Sequence, residues 1–330
     1  MILKKKKVFY KFIIVSILAF ISCSKDNEVD SNSAEKERII SFTTSDTIIR
    51  ITVDGHDIPV YLSLPRDCDE ETFPAVVTLH GSNGLWSDTD SGKGLSRQFK
   101  DWQQVFAQNC VVGAFVDSYT PRGVTTRTGK FRNLPDNIPI SAQYVRPRDA
   151  NATLKFLQNL KSPNGKPLID ENRIGLLGFS DGASATMASL IDLDRVPENF
   201  EWTQSQDGRT YNLSDGVLPP QPKPENAFTG GVFYYGGSVG YNYWGKHPCG
   251  SEAMENNVFY PYAPMLFHIP SDDNLTENTL CMIEVLQRKG APIEMQFYPN
   301  ASHGFDTDNL SSSRNAREKT ISWFKNQWSK

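Results

Sequence analysis

The chain is poor in the residues that staple or metallate a small fold. Among 330 residues there are five Cys and five His. No CxxC pair occurs, and no Cys/His pair suggests zinc, which sets aside sites of the finger and ribbon kind. We expect no metal and no organic cofactor. No block of five like charges occurs, so no charged interaction tail is suggested. The balance is slightly acidic, 34 Lys+Arg against 38 Asp+Glu. Nucleic-acid binding wants a clustered basic face, and no nucleic-acid partner is expected. No internal repeat is visible. What is present is a hydrophobic fraction of 38% in a chain of this length, enough for a large buried core.

The N-terminal segment points to a compartment. Lys4, Lys5, Lys6, Lys7 and Lys11 precede a mostly apolar run from Phe12 to Ile21, followed by Ser22 and Cys23. A basic region, a short apolar stretch and a small residue make a secretory signal, and the stretch is too short to span a bilayer. Phe20-Ile21-Ser22-Cys23 resembles the lipobox of bacterial lipoproteins. That resemblance implies removal of residues 1–22 as a signal peptide and acylation of Cys23. The expected arrangement is an exported protein held at the cell-envelope membrane by its lipid, with residues 23–45 as a polar tether and 46–330 as the folded domain. Cys68, Cys110, Cys249 and Cys281 remain. Three pairings are open to them; buried free thiols are an equal expectation, and no pair is assigned.

Beyond the tether, strand and helix signals alternate. Ile48–Val53 and Ile58–Leu64 flank Asp54-Gly55, a hairpin signal. Buried strands are expected at Ala75–His80, Val111–Ser118, Arg173–Gly178, Gly231–Tyr235, Met265–Ile269 and Ile293–Tyr298. Helices are expected at Leu95–Gln108, Arg148–Leu160, Gly182–Ile191, Glu277–Arg288 and Arg314–Trp328. This rhythm predicts an α/β fold, a doubly wound and mostly parallel sheet behind an N-terminal antiparallel hairpin. Residues 192–229 and 236–263 break the rhythm and read as lid-like insertions.

The sharpest chemical feature is Gly178-Phe179-Ser180-Asp181-Gly182, a G-x-S-x-G pattern with a strand before it and a helix after it. That context is a nucleophile elbow, which projects a serine hydroxyl at the C-terminal edge of the sheet. Serine needs a base. Of His56, His80, His247, His268 and His303, only His303 lies between the last strand and the last helix, and it is the expected base. His268, inside an apolar strand, is expected to be a core residue. The base needs an acid, and Asp272 or Asp273, after the penultimate strand, can serve. The oxyanion is expected to meet the N–H groups of Ser82, in the loop after the first buried strand, and of Asp181.

These stretches together resemble the dienelactone hydrolase-like branch of the α/β-hydrolases. The matching segments are PAVVTLHGSNGL (74–85), VVGAFVDSYTPRG (111–123), RPRDANATLKFL (146–157), RIGLLGFSDGA (173–183), PMLFHIPSDDNLT (264–276) and MQFYPNASHGFD (295–306). The resemblance implies the α/β-hydrolase fold, a triad of Ser180, Asp273 and His303 with Asp273 preferred over Asp272, and cleavage of a carboxylic ester or lactone. Founding members carry Cys at the nucleophile position and an acid where this chain has Gly81. Ser180 makes this chain a serine hydrolase. Arg122 is a candidate to hold a substrate carboxylate, or else pairs with a surface acid. The aromatic stretch Phe233, Tyr234, Tyr235, Tyr241, Tyr243 and Trp244 is expected to pack the lid rather than to stack on substrate. An envelope location suits small-molecule or glycan esters as substrates. The alternatives are a peptidase of the prolyl-oligopeptidase type, whose propeller finds no room in the short stretch before the first strand, and a non-catalytic binding lipoprotein on the same scaffold. The sequence leaves the oligomeric state open.

Overall fold

Asp54 and Gly55 both take positive φ, 47° and 80°, the left-handed pair that a two-residue hairpin turn demands. They join β1 (Thr44–Val53) to β2 (His56–Pro65) in an unbroken register from Thr44↔Pro65 to Val53↔His56. The computed structural model describes residues 44–87, 94–124, 140–206, 209–308 and 310–330. The signal segment and Cys23 lie outside the described residues.

From β3 onward the chain alternates: β3 (Phe73–Leu79), α1 (Arg97–Gln108), β4 (Val112–Val116), α2 (Arg146–Gln158), β5 (Ile169–Phe179) and α3 (Asp181–Ser189). A small hairpin, β6 (Gln204–Gln206) and β7 (Arg209–Tyr211), follows. Then come β8 (Gly231–Tyr234), α4 (Ala253–Asn256), β9 (Met265–Asp272), α5 (Thr276–Arg288), β10 (Ile293–Ser302) and α6 (Ser311–Trp328). Eight strands form one sheet in the order β1-β2-β4-β3-β5-β8-β9-β10. β2 is antiparallel to both neighbours, and every pair from β4 to β10 is parallel. The C-terminal ends of the parallel strands therefore share one edge, where open α/β sheets place their ligands.

Period-2 alternation sends neighbouring side chains to opposite faces. Val76, Phe115, Leu177, Val232 and Leu266 pack with Phe99 and Trp102 of α1 and Phe324 of α6. Val77, Ala114, Leu176, Phe233 and Phe267 belong to the other core with Leu154 of α2, Met187 of α3 and Leu286 of α5. Both faces are covered, which is why these strands are continuous apolar runs rather than alternating ones.

The structure decides one open question and adds one element. The four cysteines are not buried thiols but two disulfides, Cys68–Cys110 and Cys249–Cys281, with Cα atoms 5.9 and 5.0 Å apart. The first joins the segment after β2 to the end of α1, and the second joins the 236–263 stretch to α5. The hairpin β6–β7 went unforeseen, because its polar three-residue strands carry no hydrophobic alternation. No helix among the described residues is long and apolar enough to cross a membrane.

Candidate active site

β5 runs straight into Ser180, and the next residue starts α3. Ser180 sits at φ 53°, ψ −115°, a strained conformation for a residue with a side chain. The turn is tight enough to require glycine on both sides. A Cβ on Gly178 would lie 2.1 Å from Gly182 O, and one on Gly182 would lie 2.1 Å from Leu79 O. The strain is held by neighbours: Ser180 N–H donates to Tyr234 O at 2.9 Å, and Ala183 N–H to Ser180 O at 3.0 Å.

His303 follows the last residue of β10. Its Nε2 stands 2.9 Å from Ser180 Oγ, and its Nδ1 stands 2.7 Å from Asp273 Oδ2. With the proton on Nδ1, His303 donates to Asp273 and accepts from the Ser180 hydroxyl, the relay that acyl transfer needs. The Asp273 side chain is 4% exposed, and its other oxygen accepts from Leu275 N–H at 3.0 Å. Turn chemistry and triad geometry thus meet in one residue. Asp272 ends β9 in register with Ser302 and is exposed, so the structure brings Asp273, and not Asp272, to His303.

The loop after β3 lies against the nucleophile. A Cβ on Gly81 would be 3.3 Å from Ser180 Cβ and from Phe179 O, and Ser82 lines the same cavity as Ser180 and His303. Asp181 opens α3, so its N–H lies in the first turn of the helix, where backbone donors have no acceptor within the helix. Its carboxylate accepts from Arg146 Nη1 at 2.5 Å and from Tyr119 O–H at 3.0 Å. Arg146 Nη2 donates to His80 O at 2.6 Å. One wholly buried guanidinium thus ties α3 to the residue that precedes Gly81. Burial lowers the Arg146 pKa and raises that of Tyr119 to about 12.

Arg146 was missed by the sequence reading. The available signal was a cation as the first residue of a helix, where the macrodipole disfavours it. Asp306 was missed too. Fully buried, it accepts from Trp102 Nε1 at 2.9 Å, from Gln98 Nε2 at 3.1 Å and from Tyr235 O–H. Burial raises its pKa against the pull of those donors. Tyr235 in turn sets its ring 4.7 Å from the His303 imidazole. The cluster backs the loop that carries the base.

Of the two expectations for Arg122, the substrate role is corrected and the pairing with an acid is met, though not at the surface. Its guanidinium makes a bidentate pair with Asp149, at 2.8 and 2.9 Å, and a third bond to Ser118 O. Both side chains are almost fully buried, 2% and 0% exposed. A carboxylate of the protein already holds Arg122, and that carboxylate lies in the interior rather than on the surface. His268 is a satisfied core residue, its Nδ1 2.8 Å from Tyr298 Oη and its Nε2 3.0 Å from Thr320 Oγ1. Of the aromatic stretch, Tyr241 is 47% exposed while Phe233, Tyr234, Tyr235, Tyr243 and Trp244 are buried.

Two cavities meet at Ser180. One, of about 850 Å³, is lined by Gly81, Ser82, Trp86, Gln98, Tyr235 and His303 among others. The second, of about 500 Å³, is lined by Gln143, Asp181, Ser184, Ser238, Tyr241 and Asn278 among others.

Comparison with known proteins agrees with this architecture. A dienelactone hydrolase-like promiscuous phosphotriesterase from metagenomic libraries superposes with a TM-score of 0.54 at 13% identity, over 86% of this chain and 98% of that one. The dipeptidyl peptidase 4 of Porphyromonas gingivalis superposes with a TM-score of 0.53 at 17% identity, over 90% of this chain but 38% of that one. In sequence, a probable dipeptidyl-aminopeptidase B of Arthroderma gypseum is 24% identical over 259 residues. The match takes in 77% of this chain and 24% of that protein, so the chain spans about a quarter of its length. Residues 152–330, more than half of the chain and including Ser180, Asp273 and His303, match the model of the prolyl oligopeptidase family, and the chain belongs to that family.

Proposed function

We propose that the protein is a serine hydrolase of carboxylic esters that works through an acyl-enzyme. Ser180 Oγ attacks the acyl carbon while its proton passes to His303 Nε2. Asp273 holds the imidazole by Nδ1–H and stabilises the imidazolium. The N–H groups of Ser82 and Asp181 hold the oxyanion, a frame that acts without reorganising during the reaction. His303 then protonates the leaving alcohol, and water repeats the sequence to release the acid. The observation that carries this reading is the continuous relay of 2.9 and 2.7 Å from Ser180 through His303 to Asp273. The protein is further proposed to reside at the cell envelope on a lipid attached to Cys23.

Family membership favours a second reading, the same chemistry on a peptide bond. Both are tested with purified full-length protein and its Ser180→Ala variant on p-nitrophenyl acetate and on a dipeptidyl p-nitroanilide. Ester hydrolysis that falls on the order of 10³-fold or more in the variant supports the proposal. Turnover of the anilide alone transfers the assignment to a peptidase, and equal rates in both proteins remove Ser180 from the mechanism. For the anchor, Cys23→Ser is expected to move the protein from the membrane to the soluble fraction.

A further inference from the structure

The two cavities at Ser180 differ in which one touches the base. His303 lines the larger cavity and is not among the residues lining the smaller. A leaving oxygen has to lie at His303 Nε2 to be protonated. On the acyl-transfer reading above, the leaving alcohol therefore occupies the larger cavity, and the acyl group extends from Ser180 into the smaller.

The smaller cavity combines apolar surface, from Ala142, Val239, Leu275 and the Tyr241 ring, with polar groups placed around it. Its walls bring together amides and hydroxyls: Gln143, Asn242 and Asn278 with Ser184 and Ser238. Each of these side chains both donates and accepts hydrogen bonds, as the hydroxyls of a sugar ring do. Gln143 is only 7% exposed; its Nε2 donates to Val239 O at 3.0 Å, and its Oε1 has no partner. Ser184 and Ser238 are equally buried, 7% exposed each. The one ionisable carboxyl or ammonium-type group on the wall is Asp181, already paired with Arg146 at 2.5 Å. The exposed ring of Tyr241 adds a flat apolar surface, suited to the C–H face of a pyranose. The volume of about 500 Å³ far exceeds what an acetyl group needs.

We infer that the smaller cavity binds an uncharged, polyhydroxylated acyl group, so that the enzyme hydrolyses esters of sugar acids. The ester carbonyl carbon bonds to Ser180 Oγ and its bond to the alcohol oxygen breaks. The serine proton reaches that oxygen through His303, and water then releases the free sugar acid.

The deciding pair is methyl glucuronate against methyl cyclohexanecarboxylate, which share leaving group and ring size and differ chiefly in the ring oxygen and hydroxyls. A site built to hydrogen-bond hydroxyls rejects the analogue that lacks them, so kcat/KM is expected to favour the glucuronate by more than about 100-fold. Gln143→Leu and Asn278→Leu are each expected to lower that ratio about tenfold or more, with thermal midpoints reporting on folding. A measurement that needs no variant is inhibition by neutral glucuronamide of p-nitrophenyl acetate hydrolysis; competitive inhibition that cyclohexanecarboxamide does not produce is expected. Equal turnover of the two methyl esters overturns the inference, as does inhibition by both amides alike. So does a preference for p-nitroanilides of serine or glutamine that is lost in the same variants, because the occupant is then a polar amino acid. None of these results touches the hydrolase reading, which stands or falls on Ser180→Ala with p-nitrophenyl acetate.

Discussion

The two cavities that share Ser180 are made by different parts of the chain. The larger is walled by the edge of the sheet itself: the 81–87 loop after β3, the start of α1, and the 303–308 loop after β10. The smaller is walled by residues 141–143, by β6 and by the 237–242 segment, together with Leu275 and Asn278 beside and on α5. The first contains the base, the nominated Ser82 donor and the loops that the fold must make wherever a parallel strand ends. The second depends on the two insertions that broke the strand–helix rhythm. On the proposed reading, the catalytic parts are fixed by the sheet, and selectivity is laid on them by excursions from it. This division allows one scaffold to serve many substrates.

The largest expected effect comes from striking the point common to both cavities. Gly178→Ala forces a methyl to 2.1 Å from Gly182 O, a clash with backbone that no rotamer relieves. It is expected to cost more than about 3 kcal/mol and to abolish turnover of every ester; a thermal melt beside the p-nitrophenyl acetate assay checks both. Next is Arg146→Met, which leaves Asp181 buried without its cation and releases His80 O. Stability is expected to fall by about 3–5 kcal/mol. If the variant folds, kcat falls for all substrates with little change in KM, since the oxyanion donors are disturbed rather than a substrate contact. An equal loss confined to one substrate class would place Arg146 with selectivity instead.

The disulfides separate the two regions more finely. Cys249–Cys281 holds the smaller cavity's segment to α5, whereas Cys68–Cys110 lies away from both linings. Replacing either pair by serine is expected to cost roughly 2–4 kcal/mol. Only the Cys249→Ser, Cys281→Ser protein should also lose preference for hydroxylated acyl groups, measured as the glucuronate-to-cyclohexanecarboxylate ratio. A change of that ratio in the other variant would show the cavities to be coupled through the core.

The smallest effect concerns His268, which is fully buried and lines neither cavity. Burial holds its pKa down from 6.5 to about 3. A folded-state pKa below the unfolded one gives stability that is full above pH about 6.5 and lost as pH falls toward about 3. His268→Gln, which takes no proton, should flatten the fall of the thermal midpoint between those values. An unchanged slope would assign the acid loss to other groups.

Much of the catalytic centre was legible in the chain. G-x-S-x-G between strand and helix indicates an elbow because two glycines and a serine at that spacing answer a local steric demand. His303 and the Asp272–Asp273 pair could be named from their order after the last two strands, because the sheet topology delivers those loops to one edge, and the family resemblance favoured Asp273. The partners of Arg146 and Asp306 were not legible. Arg146 meets a carboxylate 35 residues away, and Asp306 meets an indole 204 residues away, and no local pattern marks either encounter. Arg122 stayed open between a substrate carboxylate and an acid of the protein for the same reason: only the fold shows Asp149 bound to it.

Local sterics and periodicity are properties of a few neighbouring residues, so the sequence by itself determined the strand–helix order, the elbow and the base that serves it. Which cysteines pair, which charges are neutralised in the interior and what lines the second cavity depend on segments that meet only after the sheet has formed. Those were decided by the tertiary structure, because burial turns a distant polar partner from an option into a requirement.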